Sequence, residues 1–221
     1  ARSVSRKTYP RSRLSTICSL SFVKTNLTTK IKNSMKRLMW AILLLMAVVS
    51  ADAARVIKVL AIGNSFSEDA IEQYLYELAA AQGDSLVIGN AYIGGCSIDR
   101  HWSNAQTGKP EYRYRKIVGG KTATHHHVAL DDIIADDQWD IISLQQASHF
   151  SGLPYTFANL QRLKDHVLAI CPNKQVEIVW HMTWAYAKDS HHHAFRFYRH
   201  DQQLMYNNIC LTMADQLPRV G

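Results

Sequence analysis

From residue 55 onward the chain alternates between two hydrophobic rhythms. Short continuous apolar runs such as "VIKVLAIG" fit strands covered on both faces. Runs with apolar residues every third or fourth position fit helices that pack along one side. After the first strand, "SEDAIEQYLYELAAAQG" predicts a helix. Ser67 stands where it can cap that helix, Glu68 and Asp69 suit its positive end, and Ile71, Tyr74, Leu75 and Leu78 form its stripe. Gly83 occupies the C-terminal cap position. "SLVIGNAYIGG" predicts a second strand running into a glycine turn. Residues 97–124 are polar, with Trp102, Tyr112 and Tyr114 among them, and read as an irregular loop.

The alternation then resumes. "VALDDIIADDQ" is a short helix, "WDIISLQQ" a third strand, and "TFANLQRLKDHVLAI" a helix with Phe157, Leu160, Leu163 and Val167 on one side. "QVEIVWHMTW" is a fourth strand and "AFRFYRHDQQLMYNNICLTMADQL" a longer helix, which Pro218 ends. Strands alternating with helices imply an α/β fold: a three-layer α/β/α sandwich on a mostly parallel sheet. Residues 219–221 read as the first step of a fifth strand, so a last strand and helix are expected beyond them.

Ahead of this domain (55–221) lies "MKRLMWAILLLMAVVSADAA". Lys36 and Arg37 precede an apolar core at 38–49, and small residues follow, with cleavage expected after Ala53 or Ala54. The core is short for a membrane span. Residues 35–54 therefore read as a signal peptide, and the mature protein as periplasmic or extracellular, with no stable membrane insertion after cleavage. Residues 1–34 contain neither Met nor an acidic residue. They read as a gene-model extension, or else as a disordered basic arm.

Charge follows the same division. The formal net charge is +7, but ten of the 25 Lys and Arg lie in residues 1–37. From residue 38 on, 15 basic residues face 18 acidic ones, a balance of −3. The folded part is mildly acidic, and the basic total gives no reason to expect a nucleic-acid partner. Cys96, Cys171 and Cys210 remain after cleavage, enough for one disulfide at most.

Ligands in open parallel sheets bind beyond the carboxyl ends of the strands, and Ser65 falls there, directly after the first strand. Gly63 permits a sharp turn and Asn64 can brace it. Unpaired N–H groups at the helix start could receive a developing oxyanion. Ser65 is then either a nucleophile or an ordinary helix cap.

The ends of the next strands bear on that choice. "GNSFS" resembles the Gly-Asp-Ser-x-Ser first block of the SGNH (GDSL-like) hydrolases, with Asn64 in place of the aspartate. "NAYIGGCS" resembles their second block, Gly95 matching its oxyanion glycine best, and "LQQAS" stands in the place of the third. The third block's asparagine is missing, Ala147 aligning with it, so Gln145 or Gln146 would be the side-chain donor. The likeness runs over 55–184 and is closest to an exported bacterial branch. It implies a serine esterase acting by acyl transfer on a small-molecule or glycan ester, a carbohydrate acetyl group among the options, without metal or cofactor. Ser65 would be the nucleophile; the N–H groups of Ser65 and Gly95, with Gln145 or Gln146, would form the oxyanion hole. The family's Asp-x-x-His block, which supplies the base, is expected beyond Gly221.

Histidines and aromatics complete the candidates. His125–His127 and His191–His193 are adjacent runs that read as solvated loop residues, with metal ligation as the alternative. His181, at the end of the fourth strand, could contact substrate or serve as a base, or be tied under a loop; His149 is a similar case. Trp102, Trp184 and Tyr186 fall at the same edge and could stack on sugar rings, as could the pair His101-Trp102. Asn64, His101, Trp102, His149, His181 and Trp184 are thus the candidate substrate contacts. Two other readings stay open: a non-catalytic glycan-binding module of the same fold, and a His-rich metal-binding protein.

Overall fold

A computed structural model describes residues 32, 34–36, 38, 39 and 56–220. The chain divides into two compact units, 1–53 and 54–221. In the first, the few described residues are helical and exposed; the expected basic arm, signal peptide and cleavage site otherwise lie outside the described residues. No described helix is long and apolar enough to cross a membrane.

The second unit is built on six strands: β1 (Val56–Gly63), β2 (Ser85–Tyr92), β3 (Tyr112–Val118), β4 (Lys121–Val128), β5 (Ile141–Leu144) and β6 (Glu177–Trp180). Their order in the sheet is β4-β3-β2-β1-β5-β6. The four strands from β2 to β6 are parallel, with Val59 level with both Ile88 and Ile141. The α/β expectation therefore holds, and so does the mostly parallel sheet. Successive strands leave β1 in opposite directions, so the order reverses between β1 and β5, which makes the carboxyl ends of those two strands the place for a ligand.

Side chains alternate across the sheet. Leu60 and Ile62 of β1, with Val87 and Ala91 of β2, face one core, closed by α2 (Ile98–Thr107), α3 (Leu130–Ala135) and α4 (Leu160–Ile170). Leu86, Ile88 and Ile117 face a smaller core on the other side, closed by Ile71 and by Leu75, Tyr76 and Ala79 of α1 (Leu75–Ala81). Helices thus cover both faces, in three layers.

The sequence expectation fails in four places. First, 97–124 is no loop: Ser97 caps α2 by accepting from Arg100 N at 3.3 Å, and β3 and β4 form an antiparallel hairpin. Second, the helix after β1 is interrupted. A helical turn at Ser65–Ser67 passes into a π-helical turn at Glu68–Glu72 before α1 begins. The wider turn shifts the inward face, so Tyr74 and Leu78 are exposed, against expectation, and Tyr76 and Ala79 pack instead. Third, the last helix is two elements. A 3-10 stretch (His193–Tyr198) ends in Arg199 and His200 with left-handed backbone, and α5 (Gln202–Gln216) restarts with Asp201 as its cap. Fourth, Leu217–Arg219 is a 3-10 turn, not the start of a strand.

Candidate active site

Three turns meet at the carboxyl end of the sheet, and Asn64 joins them. Only 1% exposed, it is extended and caps the helical turn through its side-chain oxygen, which accepts from Phe66 N at 3.2 Å. Its amide nitrogen donates to the carbonyl of Cys96 at 3.0 Å, in the turn after β2, and lies 3.4 Å from that of Gln146, after β5. Gln145 Nε2 in turn donates to Asn64 Oδ1 at 2.6 Å. Ser67 Oγ lies 2.7 Å from the Asn64 carbonyl and 3.0 Å from Asn90 Oδ1. Asn64 is therefore a strut, not the substrate contact expected of it, and it holds the cap position expected of Ser67.

With the cap supplied by Asn64, Ser65 is left exposed, and its hydroxyl makes no hydrogen bond among the described residues. The N–H groups of Ser65 and Gly95 likewise have no partner among the described residues. Gly95 has φ +60, and a Cβ there would meet nothing, so glycine is set by backbone conformation and not by crowding. Gly63 is the opposite case: a Cβ would stand 2.5 Å from Gln145 Oε1 and 2.6 Å from Ser67 Oγ.

The glutamines correct the expected oxyanion hole. Gln146 is fully buried; its oxygen accepts from Ile98 N at 3.0 Å and Ala147 N at 2.8 Å, and its nitrogen donates to the Thr156 carbonyl at 2.9 Å. It locks α2 to the turn after β5. Gln145 is also buried and spends its nitrogen on Asn64. Both form the floor of the site, and the donors left without a partner among the described residues are the backbone N–H groups of Ser65 and Gly95.

His101 and Trp102 are likewise relocated, because 97–107 is a capped helix. His101 is completely buried, Nδ1 2.9 Å from the Tyr112 hydroxyl, and burial drives its pKa down to about 3. It is a neutral core residue. Trp102 packs on the same core, edge-on to His166 of α4 at 6.1 Å. Cys96, beside Gly95, is buried, with its thiol pushed up to about 12 and therefore unreactive. Cys96, Cys171 and Cys210 are all unpaired.

Trp184 does reach the site. It is 49% exposed, and its ring lies 4.0 Å from that of Phe66, the neighbour of Ser65. His181 donates its backbone N–H to the Leu144 carbonyl at 2.8 Å, which sets it beside the end of β5; burial holds its pKa below the usual imidazole range. His149 lies tilted against Phe150, ring centres 4.0 Å apart, and its pKa is also lowered by burial and by His192. Of the two histidine runs, His125–His127 stand on the exposed edge strand β4 and not in a loop. Among the described residues no group of three His, Cys, Asp or Glu is placed to hold a metal ion.

Sequence reasoning missed one cluster. Arg115 of β3 pairs with Glu68 and Glu72, each at 2.7 Å, and packs with Arg113 over the Tyr92 ring. Glu72 also accepts from Asn90, the residue that contacts Ser67. The hairpin thereby braces the helical turn that carries Ser65. The alternation of Tyr and Arg in "YRYRKIV" ahead of Gly119-Gly120 was the available signal.

Fold and site together define an α/β protein with an exposed serine at the switch point of a mostly parallel sheet. The family described as a domain of unknown function, DUF4886, matches residues 58–217, and the chain belongs to it. A crystal structure of a DUF4886 family protein from Bacteroides uniformis is 41% identical with a TM-score of 0.73, covering 76% of this chain. The chain spans 65% of that protein's length. Two weaker likenesses are a Clostridium thermocellum family 3 carbohydrate esterase and a protein provisionally classed as an SGNH hydrolase from Slackia heliotrinireducens. The first is 13% identical over 75% of this chain and 74% of its own, TM-score 0.43. The second is 16% identical over 73% and 76%, TM-score 0.42. No match was found among the curated proteins.

Proposed function

We propose that the whole protein is an exported ester hydrolase of SGNH type that transfers an acyl group through Ser65. The observation that carries this reading is the division of labour at the helix start: Asn64 takes the cap, and Ser65 keeps a free, exposed hydroxyl beside unpaired amides. Ser65 Oγ would attack the ester carbonyl carbon, and the carbonyl oxygen would gather its charge against the N–H groups of Ser65 and Gly95. The alcohol leaves with a proton, and water then releases the acid from the acyl-serine. A general base is required for both steps; among the described residues no imidazole bonds to Ser65. The reading assigns no metal or cofactor to the chemistry.

An acylated sugar is the proposed substrate class. Trp184 on Phe66 presents an exposed apolar face next to Ser65, suited to the C–H face of a sugar ring. Export is proposed from the pattern of residues 35–54 alone.

The test is hydrolysis of p-nitrophenyl acetate by the full-length protein. Ser65→Ala should lower kcat by about a thousandfold or more, with folding unchanged because the side chain is exposed. Equal turnover by the variant would remove Ser65 from the reaction. Glycan binding without hydrolysis would favour the second reading, a binding module; the inward-turned Gln145 and Gln146 are the observation on its side.

A further inference from the structure

The segment 181–201, between β6 and α5, forms a strap that carries Trp184 to Phe66. It is fastened to the turn after β5 by a row of bonds. Thr183 Oγ1 donates to Ser151 Oγ at 2.7 Å, and the Tyr186 and Ser148 hydroxyls lie 2.8 Å apart. The Tyr198 hydroxyl accepts from Gly152 N at 3.0 Å and donates to the His149 carbonyl at 3.1 Å. At its far end His192 caps the 3-10 stretch His193–Tyr198, its Nδ1 accepting from Ala194 N at 3.2 Å. That cap exists only while Nδ1 is unprotonated.

Two further imidazoles stand against this cap. The His193 ring is 4.6 Å from that of His192, and the His149 ring, on the opposite side of the seam, 6.4 Å. Tyr186 completes the group at 4.7 Å. Among the described residues no carboxylate bonds to any of the three rings. Asp201 is turned to cap α5. Lys188 and Asp189 are exposed on the bend of the strap, Arg196 lies over Phe197, and His200 lies against Phe195.

We propose that His192 is a positioning residue for Trp184, and that protonation of His192 and His149 unfastens the strap from the turn after β5. Protonated His192 loses the cap, and like charges then face one another across the seam. Burial, and for His149 and His192 the neighbouring imidazoles, hold His149 and His192 below their ordinary value. The folded strap therefore binds fewer protons than the released one. Its fastening is complete above about pH 6.5, the ordinary imidazole value, and weakens as the pH falls below it. The inference rests on the proposed site only in giving Trp184 a task; the movement of the strap is measurable without any activity.

The experiment is hydrogen exchange on the full-length protein at about pH 7.5 and about pH 5.5, corrected for intrinsic rates. Amides of 183–200 should exchange about fivefold faster at the lower pH, the loss expected for one removed cap, while β1 and β5 stay unchanged. His192→Asn keeps an acceptor at the cap that does not titrate, and should hold the strap at both pH values. Equal protection of 183–200 at both pH values would overturn the proposal. So would an acid response that persists in His192→Asn, or a loosening shared equally by β1.

Discussion

At the scale of single residues, Asn64 and Ser65 are neighbours with opposite duties, and substitution should separate them. Asn64→Asp keeps the helix cap but replaces the amide donor with a second acceptor, facing the carbonyls of Cys96 and Gln146. Its loss of stability should be about 2–4 kcal/mol, read from the urea midpoint. Ser65→Ala should move that midpoint by no more than about 0.5 kcal/mol. The position of Ser65 could be read from the sequence, because a continuous apolar run stops at Gly63 and an acidic helix start follows. The direction of the Asn64, Gln145 and Gln146 amides could not. A side chain's identity states what it can donate, and only the placement of Cys96 O, Asn64 Oδ1 and Thr156 O determines where the donors are spent.

At the scale of elements, the hairpin was the main surprise. In β3 Tyr112 and Tyr114 alternate with Arg113 and Arg115, but Lys116 breaks the rhythm, and β4, with Lys, Thr and three adjacent His, has almost no apolar contrast. Arg113 and Arg115 face the smaller core's side as ion-pair partners, while Tyr112 and Tyr114 are buried on the other. The turn itself is legible in retrospect, since Gly119 and Gly120 both have positive φ, as a two-residue hairpin turn of this kind requires. The break after Ser65 has the same origin: Glu68 and Glu72 are drawn together onto Arg115, and a π-helical turn accommodates them. Helical periodicity alone cannot anticipate a partner from a strand some forty residues on. Arg115→Met should therefore reach the turn that carries Ser65. Glu72, already raised above its ordinary 4.5 by burial, would rise further without its cation. A raised carboxyl disfavours the folded state once the unfolded chain ionises, so the deficit should grow above about pH 4.5 and vanish well below it. The expected cost at pH 7 is about 1–3 kcal/mol, measured as the difference in urea midpoints at two pH values.

For the whole molecule, one acidic residue ties β3 to β1 across β2, at the end away from the site. Asp137 bonds to Lys58 of β1 at 2.5 Å and Lys116 of β3 at 2.9 Å. Burial raises its pKa, but the two lysines more than offset that and hold it at about 2. A lowered carboxyl contributes stability above its ordinary 3.8, and that contribution fades as the pH falls toward 2. Asp137→Asn should cost about 1 kcal/mol at neutral pH after solvent screening and almost nothing near pH 2, with the two denaturation curves converging in acid. The layered architecture itself was legible, because the central strands such as β1 and β2 are continuous apolar runs and α4 keeps its apolar stripe.

The single amide at position 64 has a consequence for how such a site could diversify. Loops after three different strands share one buried keystone, so lengthening or redirecting any of them disturbs the other two. Changes at the site are therefore channelled toward its rim, where Trp184 and its surroundings can vary while the floor stays as it is. A graft from a relative would have to carry all three turns at once.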